Sequence, residues 1–172
     1  MSLNTMEDLL VGQLTDLYGA IRQFTRVLPR MAEAAANERL AEAFRYHLIQ
    51  TGEQIARLEQ IFQVLRIHPA SRRCAGMAGL LREVGERLEQ GGNRALLDAG
   101  LITDARRVKH YEIGAYTSAI ALAETLRLGS IVRLLNFTLQ EETAADERLS
   151  RIAKNEVNPD GAMVGGLAES EA

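Results

Sequence analysis

"RVKHYEIGAYTSAIALAETL", residues 107–126, contains no proline and reads as one unbroken helix. Its apolar stripe begins upstream at Leu101, Ala105 and Val108. It resumes at Ala115, Ala119, Ala123 and Leu126, in the three- and four-residue steps of a single helix face. Glu112 falls in the middle of that stripe, where a bundle core would hold leucine. The stretch therefore decides the fold class and also marks where chemistry is to be sought.

Working outward, this third helix spans Arg94 to Leu128, with Gly129 predicted as its C-terminal cap and Ser130 as the N-cap of a fourth. The fourth helix carries Ile131, Leu135, Thr138, Glu142, Ala145, Leu149 and Ile152 on one face. Upstream, residues 67–93 hold His68-Pro69, "SRRC", a short amphipathic piece "MAGLLREVGERLEQ" and the breaker "GGN". That span is too long for a hairpin and long enough to cross a bundle. The second helix runs from Glu38 to Arg66 on Ala41, Phe44, Leu48, Thr51, Ile55, Leu58, Phe62 and Leu65. The first opens at "NTMED", where Thr5 and Asp8 have capping-box spacing, and places Leu10, Leu14, Leu17, Ile21, Phe24 and Leu28 on its face. Pro29 predicts a kink and Asn37 a break.

The 172 residues suffice for one domain with one sizeable core, 47% of them hydrophobic, with 5% aromatics and no Trp. The reading is all-α: two helical hairpins joined by a long crossover that carries a short extra helix. A weak internal echo, "RLEQI" at 57–61 against "RLSRI" at 148–152, agrees with paired hairpins. The connectivity is that of a ferritin-like four-helix bundle. It predicts a bundle over 1–155 and a disordered C-terminal tail over 156–172, rich in small and acidic residues.

Net charge is -3, and nucleic-acid binders usually carry a basic excess on one face. The cluster "ARRVKH" at 105–110 reads as a solvated helix face, so no nucleic-acid partner is expected. No run of about 18 uncharged apolar residues occurs, so no membrane partner is expected either. The single Cys74 and the lack of a secretory signal pattern point to the cytoplasm. Cys74 stands beside two arginines, but a loop cysteine is usually inert. A phosphate loop, a nucleophile elbow and a Cys-x-x-Cys pair are all missing.

Glu142 repeats in the fourth helix the oddity of Glu112 in the third, and Asp146 follows one turn later. Stripe positions on neighbouring helices converge at similar depth, so the two glutamates are expected to meet. Buried ionised carboxylates cost several kcal/mol each unless neutralised. Two solutions stand open at this point. One is a di-metal site, in which two helices each give a Glu and two each give Glu-x-x-His. The other is a polar network built from Lys109, Arg107 or Arg148, with Tyr111, Tyr116 and Thr138 as hydroxyl donors. The first hairpin offers few ligands: Ile21, Thr51, Ile49 and Gly52, with Asp16 and Gln13 on a neighbouring face. The lone His47 reads as a hydrogen-bonded surface or core-edge residue rather than a ligand.

Five stretches carry a resemblance: "DLYGAIRQFTRVLPRMAEAA" (16–35), "AFRYHLIQTGEQIARLEQIF" (43–62), "RRCAGMAGLLREV" (72–84), "VKHYEIGAYTSAIALAETL" (108–126) and "LLNFTLQEETAADERL" (134–149). In them the chain resembles the YciE/YciF proteins, a ferritin-like bacterial family tied to stress responses. The Cys-x-x-Met-x-Gly-Leu run from Cys74 to Leu80 is the most specific mark. The resemblance implies a di-iron pattern with Glu at the position of Ile21, with Glu and then Glu or His at those of Ile49 and Gly52, and with Glu-His-Tyr-Glu over 109–112. Glu112, Glu141, Glu142 and Asp146 match that pattern; positions 21, 49, 52 and 109 depart from it. Lys109 would supply fixed positive charge where a metal would otherwise sit.

The expectation is thus a non-enzymatic, stress-associated bundle protein, homodimeric and cytoplasmic. Its degenerate di-iron site becomes a buried polar cluster of Lys109, Glu112, Glu142 and Tyr116, with no cofactor. The alternative is a ferritin-like oxidase or peroxide-scavenging enzyme that holds iron or manganese at low occupancy on Glu112, Glu142 and Asp146. A ferritin-type cage is disfavoured by the missing basic arm.

Overall fold

The structure is a computed structural model that describes residues 3–69 and 72–164. Its elements follow the apolar periodicities. Helix α1 spans Met6–Thr25, α2 Leu28–Ala34, α3 Glu38–Val64, α4 Ala75–Glu89, α5 Arg94–Thr125 and α6 Gly129–Ile152. A π-helical turn, Ala153–Val157, leads into α7, Asn158–Ala162. Helices α1, α3, α6 and α5 form a closed ring of neighbours, with α4 laid against α1 and α5. This is an all-α, ferritin-like four-helix bundle of two hairpins, with a short helix in the crossover.

Side chains set most of the starts. Thr5 and Asp8 form a reciprocal capping box, and Asn37 and Asn93 accept backbone N–H groups at the starts of α3 and α5. Asp98 of α5, buried, adds a second cap to α3, accepting from the N–H groups of Ala36 at 2.9 Å and Asn37 at 2.7 Å.

Several boundaries differ from the sequence reading. The first helix does not kink at Pro29; it ends at Thr25, and Pro29 stands in the first turn of α2, where its missing donor costs nothing. Gly129 does not close α5 but opens α6, and Ser130 provides no cap. The turn is made by Arg127 at φ 58°, with Leu128 N–H bonded to Ala123 O and Arg127 N–H to Glu124 O. Arg66, at φ 55°, closes α3 in the same way through Phe62 O and Gln63 O.

Part of the expected tail lies against the bundle: Val157 and Gly161 are buried, and α7 packs on α5. Glu156 pairs with Arg39 at 2.9 Å and accepts from Asn37 Nδ2 at 3.2 Å. The remainder of that tail lies outside the described residues.

The core has two apolar halves. One holds Phe24, Leu28, Phe44, Ala105, Val108 and Leu149; the other holds Ile21, Leu58, Tyr116, Ala119 and Leu135. Along α3, α5 and α6 the same level between the halves is polar: His47, Thr51 and Gln54, then Lys109 and Glu112, then Thr138 and Glu142. Helix α1 contributes no polar group at that level, because Ile21 and Phe24 continue its apolar face.

Candidate functional site

The polar level is the candidate site, and Lys109 is its centre. The side chain is 1% exposed, and its Nζ meets partners from α3, α5 and α6. It donates to Glu142 Oε2 of α6, lies 2.6 Å from Glu112 Oε2 one turn along α5, and lies 2.5 Å from His47 Nε2 of α3. The approach to Glu112 is a close contact that forms no hydrogen bond to that oxygen. The Phe24 ring of α1 closes the fourth side, with Nζ 5.1 Å from its centroid.

An ammonium can only donate, so His47 Nε2 must accept and the proton of the neutral ring sits on Nδ1. Nδ1 has Gln50 near enough to act on its charge but forms no well-aligned hydrogen bond. Glu142 also accepts from Gln54 Nε2 at 2.6 Å, and Gln54 reaches Glu141 at 3.2 Å. Arg57 holds Glu141 with two hydrogen bonds, at 2.8 and 2.6 Å, and donates to Thr138 Oγ1 at 2.6 Å. The outer carboxylate is thereby neutralised before it reaches the cluster.

The electrostatics resolve into one buried cation and one buried anion. Burial drives the Glu112 carboxyl up to about 8, aided by the neighbouring Glu142 charge and opposed by Lys109. Burial also pushes Glu142 upward, but Lys109 and then His47 override it and bring the group down to about 2. Burial and then Lys109 press His47 down to about 4. Burial would lower Lys109, yet the two carboxyls raise it above its usual value. Between them the two acids favour holding one proton at neutral pH, Glu112 being the more readily protonated of the pair, which matches the single Lys109 cation. Burial, with the charges of Glu142 and Glu112, raises Tyr116 far above the usual phenol value. Its hydroxyl makes no hydrogen bond.

The ligand pattern of a di-iron centre is not met. That pattern needs Glu-x-x-His on two helices, and the three histidines, His47, His68 and His110, stand three residues after Phe44, Leu65 and Arg107. One atom each from His47, Glu112 and Glu142 lies within 4.8 Å of the others, but the Lys109 ammonium touches all three residues. A cation of the protein's own already stands among them, hydrogen-bonded to His47 and Glu142, and the donor set does not fit the metal pair.

Four of the placements expected from the sequence change. His47 is a buried partner of Lys109, not an edge residue. Ile49 is 66% exposed and Gly52 is exposed, so the inward positions of α3 are Thr51 and Gln54. Asp146 stands apart, bonded by Arg106 at 2.9 Å and lying 3.4 Å from His110. Arg107 pairs with Glu83, and Arg148 stacks on Tyr46, leaving neither for the cluster. Lys109, Glu112 and Glu142 do come together, with Tyr116 buried beside them. Sequence reasoning misplaced His47 and missed Gln54 and Arg57. The signal was present in the alternating three- and four-residue steps from Phe44 through His47, Thr51 and Gln54 to Leu58.

A pocket of about 100 Å³ between α3 and α6 leads to Lys109 and His47 over Phe24, Phe44 and Leu149. Tyr46 and Arg148 line it and pair across the gap, the guanidinium 4.7 Å from the ring centroid.

Comparison with known proteins places this architecture. Residues 5–162 match the family described as "Domain of unknown function (DUF892)". The chain is 39% identical over 159 residues to Protein YciF of Escherichia coli (strain K12), covering 92% of this chain and 96% of that protein. The crystal structure of the E. coli stress protein YciF superposes with a TM-score of 0.87 at 38% identity, over 91% of this chain and 99% of that one. YcfI from Rhodopseudomonas palustris gives a TM-score of 0.84 at 40% identity, over 87% and 95%. The chain belongs to the DUF892 family, as a YciF-like member.

Proposed function

We propose that this chain is a non-enzymatic, stress-associated bundle protein in which a built-in lysine replaces a metal centre, so that its work is done by its surfaces. The observation that carries the reading is the Lys109 ammonium, paired with Glu142, 2.6 Å from Glu112 and 2.5 Å from His47. A bound metal would have to expel it. The relative described as a stress protein supports the cellular setting, and a cytoplasmic location goes with the reading. No described helix is long and apolar enough to cross a membrane.

Anaerobic incubation with ferrous iron or manganese, followed by desalting and metal analysis, tests the proposal. Retention below about 0.1 equivalent per chain is expected, and two tightly held equivalents overturn it. The proposal includes a homodimer, supported by Tyr46, Ile49 and Phe137, large apolar residues exposed on the neighbouring helices α3 and α6. Light scattering that gives a strict monomer at micromolar concentration removes that part.

A second reading has one observation in its favour, the close donor set of His47, Glu112 and Glu142. If Lys109 withdrew, those atoms could hold one metal for oxidase or peroxide-scavenging chemistry. Iron-dependent peroxide consumption that disappears in Glu142→Ala would establish it in place of the first.

A further inference from the structure

Away from the buried cluster, α1 and the crossover enclose a groove of about 530 Å³. Five guanidinium groups line it: Arg22 and Arg26 of α1, Arg72 and Arg73 of the segment before α4, and Arg82 of α4. All five are exposed. Among the described residues, Arg22, Arg26, Arg72 and Arg73 have no carboxylate within 4.0 Å, and Arg82 has only the exposed Glu86 at 3.7 Å. Glu59, which accepts from the Tyr18 hydroxyl at 2.7 Å, forms no ion pair with any of the five. In a chain of net charge -3, five cations around one concavity, four of them without a paired carboxylate, are a concentrated positive field.

The arrangement is built, not merely crowded. Gly19 of α1 lies so close to the crossover that a Cβ there would meet Arg72 O at 2.1 Å. Gln23 grips Cys74 on both sides, accepting from its N–H at 2.8 Å and donating to its carbonyl at 3.1 Å. These two contacts clamp the segment bearing Arg72 and Arg73 onto the helix bearing Arg22 and Arg26. Like charges that would otherwise separate are held together before any ligand arrives, which is the pre-organisation an anion site needs.

We propose that this groove binds a compact small molecule carrying two or more phosphate groups. Guanidinium groups present planar donor pairs that match phosphate oxygens two at a time. Five of them exceed what one phosphate can use. The volume falls within the roughly 300–1,000 Å³ range of small-molecule sites. Tyr18, Val27 and Leu81 supply an apolar wall beside the arginines, suited to an attached base or other organic group. An extended nucleic acid is a poorer match, because the cations converge on one concavity and the chain as a whole is negative.

Isothermal titration at about 150 mM salt tests this with three probes: inorganic pyrophosphate, ATP without divalent metal, and a single-stranded DNA 12-mer. Saturable one-to-one binding of pyrophosphate or ATP is expected. Equal affinity for the two assigns the site to phosphate alone, and a tenfold preference for ATP assigns the wall to its organic part. The double variant Arg26→Ala, Arg73→Ala is expected to bind at least tenfold more weakly with an unchanged far-UV spectrum and melting temperature. Arg133→Ala, on the exposed side of α6, is expected to bind as the wild type. Absence of saturable binding, wild-type affinity in the double variant, or tighter binding of the 12-mer than of ATP overturns the proposal.

Discussion

Gln54 of α3 donates to Glu142 Oε1 of α6 at 2.6 Å, while Lys109 of α5 takes the other oxygen of the same carboxylate. The buried anion is thus held from two helices at once. Continuity between α3, α5 and α6 at this level runs through Glu142, and the energetics of the core depend on keeping its charge matched.

Lys109→Met removes the only cation of the pair and leaves Glu142 charged in an apolar interior. Breaking a buried ion pair from one side costs ~3–5 kcal/mol, and urea unfolding of the variant is expected to show a loss of that order. Adding Glu142→Gln should restore a large share of it, because the orphaned charge is then gone. A double variant no more stable than Lys109→Met would contradict the pairing.

The dependence of stability on pH has three parts, with stability rising wherever the unfolded chain binds more protons. Glu142, ionised in the folded chain down to about 2 against an ordinary 4.5, contributes stability present above 4.5 and lost as pH falls toward 2. His47, neutral when folded down to about 4 against an ordinary 6.5, adds stability as pH rises from 4 to 6.5. Glu112 acts oppositely: it keeps its proton to about 8 when folded, so stability falls as pH rises from 4.5 to 8. The last two offset each other between 4.5 and 6.5. The cluster therefore contributes a rise to pH 4.5, a level stretch, and a decline from 6.5 to 8. Urea midpoints across this range should reveal the decline, and Glu112→Gln should abolish it.

Lys109→Glu restores an acidic side chain at the position where the resembled pattern carries one. It also places a third carboxyl beside Glu112 and Glu142. The variant is expected to melt below the wild type without metal and to gain several degrees with millimolar manganese, a gain the wild type should not show. Differential scanning calorimetry decides it; equal responses in both proteins would mean that Lys109 is not what excludes a metal.

Gly19→Ala sets a methyl group against the Arg72 carbonyl at 2.1 Å. Backbone on both sides leaves little room to yield, and overpacking of this kind costs ~1–3 kcal/mol. The variant should unfold at lower urea and, because the clamp on the crossover is loosened, bind pyrophosphate more weakly. The helical signal of the bundle should remain.

Much of the architecture is written locally. Leucine and phenylalanine steps give α1, α3 and α6, and Thr5, Asn37 and Asn93 mark starts where side-chain oxygens meet free N–H groups. Glu112 stands out because its face of α5 is otherwise apolar, whereas Lys109 is singled out from Arg107 and Arg148 only by the family resemblance. The features that escaped are tertiary. Steps of three or four from Phe44 fit Leu48 and Ile55 as well as His47 and Gln54, and only the placement of α5 and α6 selects the polar pair. Arg66 and Arg127 take a left-handed turn usually given to glycine, so Gly129 drew the prediction two residues late. Asp98 and α7 are fixed by partners far away in the chain.

The mid-level ions also work as a vernier on the bundle. Hydrocarbon faces built from leucine and alanine tolerate sliding, since one methyl surface replaces another at little cost. Shifting α6 along its axis by one turn, about 5.4 Å, would carry Glu142 away from the ammonium and bring Thr138 or Ala145 opposite it, stranding two charges. A slipped assembly is penalised at this single stratum, so the axial alignment of three long rods is set by His47, Lys109, Glu112 and Glu142.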